Sequence, residues 1–564
     1  MLHAEVDSPV RLKLQPLKMI ARGLLAVLLV NLLLVGPEWL MPYATFPHPW
    51  LAAEALLVAG VMLLVPRPWA WIAAGVLSLA VMVSVGLALS DLGTGWALGR
   101  PMNLLIDLPL AASVEHLLRG AVGGPVAWTI LATGLAAVGY ALYRLARLLR
   151  GMVPGQASMA SVLVGLALVS AGLLLQHHRD AWPIGRAVDA PALIRYTDQA
   201  DRVLRTAAER RAFADALAVP QKPVERQMAS LQGRDVILGF IESYGVSFLR
   251  DARYRVTGQA ALEALAGELE AAGLQAVTAS MRSPVQGGQS WLAHGSVLSG
   301  RWINNQIRYD LFLDKPRPSL IRDFDQAGYE TAAVMPAITR AWPAGRQWGY
   351  DQIHDHARIE YAGPPLNWVT MPDQYTWHYF QRAIRGPSAS PVFAELALIS
   401  SHAPWTPVLP TIDWSRVGDG SVFQRWAEAG PAPGVVWADR DRVRRHYARA
   451  VDYALRTAGE WAARDLGDGI LILLGDHQPA PLVTGEGASR AVPVHIIARD
   501  SALLEAFVAR GFRRGVMPPA EALGTLADLR SHLLAVFDGE QTPGAAVPAP
   551  ASGAVAPSPD EIKE

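Results

Sequence analysis

Ile470-Leu471-Ile472-Leu473-Leu474-Gly475-Asp476-His477 is a short, unbroken apolar run that ends in a carboxylate and an imidazole. An apolar run of this length without alternation predicts a strand buried on both faces. Comparable runs stand at Val236–Ile241, Gln275–Ala279, Glu330–Met335, Phe393–Ile399 and Val492–Ala498. Helical patterns fall between them, at Ala261–Ala272, Ser319–Gln326 and Asp439–Ala463. Strands that alternate with helices predict an α/β domain whose mainly parallel sheet is covered by helices on both faces.

Such sheets bind ligands beyond the carboxyl ends of their strands, so the residue after each run is informative. Glu242 follows the first run, His402 follows Ile399-Ser400-Ser401, and Asp476 and His477 follow Gly475. Each alone reads better as an ordinary polar strand end; their coincidence reverses that preference. Together they place four groups suited to a divalent cation or an anion at one rim. Ser290, in Gly287-Gly288-Gln289-Ser290-Trp291-Leu292-Ala293-His294, is expected at a helix N-terminus, where unpaired amides favour anions. The same position also suits a plain serine N-cap.

Outward from this domain the composition changes. Over 564 residues, 51% are hydrophobic and only 18% charged, and the apolar excess lies in the first third. Almost uncharged runs at Met19–Gly36, Trp50–Val65, Ala70–Leu89, Val126–Ala146 and Ala157–Leu175 each approach the ~20 residues of a membrane-crossing helix. About five transmembrane helices are therefore expected over 1–176, with an amphipathic segment on the outer face near 102–124. Connector helices are expected over 177–230, the catalytic domain over 231–541, and a disordered Pro/Ala-rich tail over 542–564. Arg11, Lys13, Lys18, Arg22, Arg67, Arg144, Arg147 and Arg150 fall on one side of five crossings, the cytoplasmic side by the positive-inside rule. The reading is a multi-pass protein of a bacterial-type inner membrane with its catalytic domain outside the cytoplasm. Equal counts of 50 basic and 50 acidic residues argue against a nucleic-acid partner, and the absence of cysteine removes thiolate chemistry.

These motifs resemble those of membrane-anchored members of the alkaline phosphatase superfamily, in the sulfatase-like branch that holds lipoteichoic acid synthases and phosphoethanolamine transferases. Ser290, Ala293, Ser299 and Gly300 fall at offsets matching the sulfatase signature, with Leu292 in place of its proline and His294 in place of its arginine. Gly475-Asp476-His477 is similar to the family's metal-binding pair, and Phe240-Ile241-Glu242-Ser243 to its Leu-Glu-Ser. The resemblance implies that Glu242, Ser290, Asp476 and His477 hold one divalent cation, manganese most often in that family. Ligand type alone suits manganese, magnesium or zinc. Ser401-His402-Ala403-Pro404-Trp405 is similar to the family's substrate-contacting segment, which makes His402 a phosphate contact or proton donor. Arg340 and Trp342 correspond to a substrate-binding pair, and His294 is either a further substrate contact or a packing residue.

The resemblance implies transfer of a phosphoryl headgroup from a membrane phospholipid to an envelope glycan or lipid, through a covalent intermediate on Ser290. Hydrolysis of a phosphoester or sulfate ester at the same site is the alternative. A catalytically inactive membrane protein with a degenerate domain is the reading from another class. Two further motifs receive structural expectations: His354-Asp355-His356 as a solvated loop, and His495 as a core histidine or a partner of a ligand.

Overall fold

The computed structural model describes residues 9–40, 49–110, 115, 118–119, 122–155, 158–177, 187–219, 226–485 and 487–539. The chain divides into two compact units, one comprising Met1–Gly95 and Arg100–Ala208, the other Trp96–Gly99 and Glu209–Glu564. Of the expected amphipathic segment near 102–124, residues 111–114, 116–117 and 120–121 lie outside the described residues, as does the whole tail over 542–564; its described part begins with a short helix, Leu104–Asp107, and a 3-10 turn, Leu108–Leu110.

The first unit is helical. Its main elements are α1 (Pro9–Val35), β1 (Leu51–Ala52), α2 (Ala53–Leu64), α3 (Ala70–Leu98), α4 (Gly124–Arg150), α5 (Met159–His177), β2 (Val188–Asp189) and α6 (Pro191–Ala218). Among the described residues, four helical stretches are long and apolar enough to cross a membrane: Ile20–Leu40, Arg67–Leu98, Gly124–Arg150 and Met159–His177. The expected fifth, Trp50–Val65, is the difference. It forms a 12-residue helix, α2, about 18 Å long and short of the ~30 Å hydrocarbon core. Its first residues are drawn into extended backbone instead: Trp50 donates to the Ala187 carbonyl at 2.8 Å, and Leu51 and Ala52 pair in parallel with Val188 and Asp189. Asn31 brackets the same segment, donating to the Trp50 carbonyl at 2.9 Å and accepting from the Ala52 amide at 2.7 Å.

Glycines let α2 and α5 approach closely. A Cβ on Gly60 would lie 2.7 Å from the Gly165 carbonyl, and one on Gly172 would lie 2.9 Å from Leu57. The two helices therefore run antiparallel with backbones nearly touching, the contact that small residues permit in apolar bundles.

The second unit is built on a nine-stranded sheet in the order β10-β4-β9-β8-β3-β7-β5-β6, with β11 pairing β4. The strands are β3 (Val236–Ile241), β4 (Gln275–Arg282), β5 (Glu330–Met335), β6 (Gln352–Asp355), β7 (Val392–Leu398), β8 (Ile470–Gly475), β9 (Ala491–Ala498), β10 (Arg513–Arg514) and β11 (Gly524–Thr525). The five strands from β8 to β6 are mutually parallel, while β9 runs antiparallel to both β8 and β4. The sheet is thus mixed and mainly parallel. Helices α7 (Arg255–Ala271), α9 (Asp373–Phe380) and α10 (Arg440–Asp465) contribute to the core on one face. Helices α8 (Ser290–Ser299) and α11 (Leu526–Phe537) contribute to the core on the other. Every residue of β3, β8 and β9 is buried, which is why those strands read as continuous apolar runs.

One motif is corrected. His354 is not in a solvated loop but buried in β6, an edge strand beside β5. Its Nδ1 lies 2.8 Å from the Tyr379 hydroxyl and its Nε2 2.9 Å from Gln352 Oε1, so both ring nitrogens are occupied.

Candidate metal centre

β3 and β8 are neighbours in register, so their last residues end side by side and deliver Glu242 and Asp476-His477 to one point. The Glu242 amide donates to the Leu398 carbonyl at 3.0 Å, which ties it to the next strand, β7. Asp476 is held through one oxygen: Oδ1 accepts from the amides of Ser243 at 2.7 Å and His477 at 2.6 Å. Its other oxygen, Oδ2, lies 3.6 Å from His477 Nε2. His477 Nδ1 sits 2.8 Å from the Gln478 carbonyl. That contact assigns the proton to Nδ1 and leaves the Nε2 lone pair facing the carboxylates.

Ser290 arrives from the opposite direction, as the first residue of α8. The backbone before it turns through Gly287, Gly288 and Gln289, all at positive φ. This turn aims the hydroxyl at the strand ends: Ser290 Oγ donates to Glu242 Oε2 at 3.0 Å and lies 3.2 Å from His477 Nε2. Glu242 Oε1 in turn is 3.3 Å from His477 Nε2. Ligand atoms of Glu242, Asp476 and His477 all fall within 4.8 Å of one another.

The charges explain what such a cluster needs. Burial pushes Glu242 up, but His477, His402 and the Ser243 hydroxyl outweigh it and hold the carboxyl at about 2. Asp476 moves the other way, to about 6, through burial and then the charge of Glu242. Burial lowers His477, but Asp476 and Glu242 overcome it and raise the ring above its ordinary value. Two carboxylates crowded into a buried rim favour a cation between them. Three oxygen donors and one imidazole fit a divalent ion of the manganese, magnesium or zinc type.

No protein-family model and no curated protein matches the chain. Among solved structures, it is similar to the lipoteichoic acid synthase LtaP from Listeria monocytogenes, with 16% identity and a TM-score of 0.34 over 57% of this chain and 77% of that one. A phosphoglycerol transferase, GacH of Streptococcus pyogenes in complex with sn-glycerol-1-phosphate, matches at 11% identity and a TM-score of 0.35, over 59% of this chain and 90% of that one. The periplasmic domain of EcEptC from Escherichia coli, in complex with Zn, matches at 16% identity and a TM-score of 0.34, over 53% and 80%. With TM-scores this low, these likenesses carry no weight for the chemistry of this chain.

The remaining expected residues are placed as follows. His402 is exposed on the loop after β7, its Nδ1 2.6 Å from the Ala403 carbonyl. Ser401 beside it donates to the Glu242 carbonyl at 2.6 Å, which fixes this loop to the rim. Arg340 is exposed on the loop after β5. Trp342 is half-buried, with its ring centroid 6.5 Å from that of Tyr350. His294, one turn after Ser290, stacks on Phe240 and pairs with Glu395. His495 is buried, its Nδ1 2.8 Å from Thr278 Oγ1 and its Nε2 3.1 Å from the Tyr244 hydroxyl, a core histidine with both nitrogens engaged.

Two supports escaped sequence reasoning. Ser243 donates from Oγ to Glu242 Oε1 at 2.8 Å, and Ser283 donates to the Asp476 carbonyl at 2.6 Å. Ser243 stood next to a singled-out residue, so adjacency was a signal. Ser283 carries none, because only the fold brings the end of β4 to the end of β8.

Proposed function

We propose that this protein transfers a phosphoryl headgroup from a membrane phospholipid to an envelope glycan or lipid acceptor, at an extracytoplasmic site, through a covalent ester on Ser290. The observation that carries the reading is the approach of the Ser290 hydroxyl to Glu242 and His477, at 3.0 and 3.2 Å, from a different element of the fold. A serine serving only as a helix cap would face its own backbone; this one faces two side chains at the strand ends.

The residues divide the work. Glu242 Oε2 accepts the Ser290 proton and orients Oγ toward the phosphorus. Glu242, Asp476, His477 and Ser290 would hold a divalent cation, which when bound supplies charge neutralisation and Lewis-acid polarisation of the phosphoryl group. Oγ forms the new bond to phosphorus as the diacylglycerol oxygen leaves. His402, exposed at the rim, donates the proton that the leaving oxygen requires. An acceptor hydroxyl then gives its proton to His402 and displaces Ser290 Oγ, which regains its proton from Glu242 as the acceptor takes the headgroup. Apolar helices that hold the site to a membrane raise the effective concentration of a lipid donor.

The test uses the full-length protein in lipid, with a phospholipid labelled in its headgroup phosphate. Mass spectrometry of the Ser290 peptide is expected to show the mass of the headgroup, absent in Ser290→Ala. Label passing to glycan or lipid supports transfer, and label released only in soluble form means hydrolysis. No adduct on Ser290, with label release unchanged by Ser290→Ala, overturns the reading.

A further inference from the structure

Glu395 stands in the middle of β7 with 1% exposure. It pairs in register with Leu238 of β3, on the sheet face that also carries Phe240. An ionised carboxylate there is costly unless it is paired and hydrogen-bonded. Two groups meet it: His294 Nδ1 lies 2.7 Å from Oε1, and the Tyr350 hydroxyl donates to Oε2. His294 also stacks on Phe240, with ring centroids 3.7 Å apart and planes at 14°.

These contacts place His294 relative to the reacting hydroxyl. Ser290 and His294 are one turn apart on the same face of α8. Phe240 lies in β3, and Glu242, two residues on, directly follows the strand's last residue. Ser290 meets Glu242 and His294 meets Phe240, so the imidazole lies one step along the same crevice. With Nδ1 committed to Glu395, Nε2 has no hydrogen-bond partner among the described residues, in a side chain that keeps 13% exposure. An imidazolium ring has a donor at each nitrogen, so a ring with Nδ1–H on Glu395 can present Nε2–H to a ligand.

We propose, resting on the phosphoester reading above, that His294 contacts the substrate. Its Nε2–H donates to a non-bridging oxygen of the bound phosphodiester, and Glu395, itself fixed by Tyr350, is the positioning residue that holds the ring. The pair thereby supplies one directional donor for an ester monoanion, beside the carboxylate cluster.

The test is steady-state kinetics of the full-length protein on methyl p-nitrophenyl phosphate and on both diastereomers of its phosphorothioate. Sulfur accepts hydrogen bonds poorly, so a donor to one non-bridging position makes the enzyme discriminate against one diastereomer. His294→Gln is expected to lower kcat/KM on the oxygen ester about 10–100-fold, the worth of a charge-assisted hydrogen bond. It is also expected to shrink the discrimination at one diastereomer. Glu395→Gln acts in the same direction. Should His294→Gln fail to fold around an unpaired carboxylate, the double variant His294→Gln/Glu395→Gln removes the imidazole and the carboxylate together and keeps the same kinetic expectation. Wild-type discrimination at both diastereomers in either His294 variant means a purely structural pair and overturns the assignment. A wild type that neither turns over the diester nor forms a Ser290 adduct overturns both this assignment and the transfer reading, whereas an active wild type with unmoved discrimination sinks His294 alone.

Discussion

A Cβ on Gly475 would lie 1.8 Å from the carbonyl oxygen of Tyr244. The last residue of β8 and the loop after β3 therefore touch backbone to backbone, one residue before Asp476 and two residues after Glu242. Any larger residue at 475 separates the two carboxylates.

Gly475→Ala is accordingly expected to cost about 1–3 kcal/mol of stability, the range for overpacking a filled interior. It should also weaken cation binding beyond what the stability loss explains. Thermal melts and equilibrium dialysis on the same preparation check both effects.

Cation binding itself is expected at one ion per chain, abolished by Asp476→Asn and by chelation. Ser243→Ala, which removes the hydroxyl donated to Glu242 Oε1, should weaken affinity about 10–100-fold, as loss of a ligand's supporting hydrogen bond does. Dialysis against manganese, magnesium and zinc in turn measures stoichiometry and preference together.

Acid lability is expected from His495. Burial lowers its imidazole to about 3, so the folded chain keeps it neutral while the unfolded chain protonates near 6.5. Between those values the unfolded state binds the extra proton, so stability falls as pH falls from about 6.5 toward 3. His495→Gln should flatten that part of the profile. Melting of the second compact unit in the full chain, followed from pH 7 to pH 4 in both proteins, tests the slope; equal slopes would refute it.

Much of this was legible in the sequence because burial on both faces leaves a plain mark. Val236–Ile241 and Glu330–Met335 are strands with the expected ends, and Ser319 and Asp439 cap their helices as side-chain acceptors. Glu242, Asp476 and His477 were found because they terminate such runs. β6 went unread because an edge strand of four residues offers too short a pattern, and its His354-Asp355 looked solvated. Glu395 was visible as a lone acid inside an apolar run, yet its partners His294 and Tyr350 are 101 and 45 residues away, joined only by the fold. The short α2 escaped because hydropathy registers apolar length, not which part of it pairs as extended backbone with residues near 188.

Close packing in the helical unit gives one further expectation. Gly165→Leu would drive its side chain into Leu64, where a Cβ alone already approaches to 2.9 Å. Separation of α2 from α5 should cost about 1–3 kcal/mol. Thermal melts of the detergent-solubilised chain should show it, with Gly139→Leu, where a Cβ meets nothing within 4 Å, left near wild type.

The brevity of α2 bears on topology. Four traverses return a polypeptide to the compartment it started from, while a fifth delivers it to the other. Ala53–Leu64, lodged against its glycine-lined neighbour, thus acts as a parity bit: counted as a crossing it puts the two ends of the helical unit on opposite sides of a bilayer, and left out it keeps them on one side. The extracytoplasmic site proposed above takes the odd count, with Ala53–Leu64 as one of the crossings.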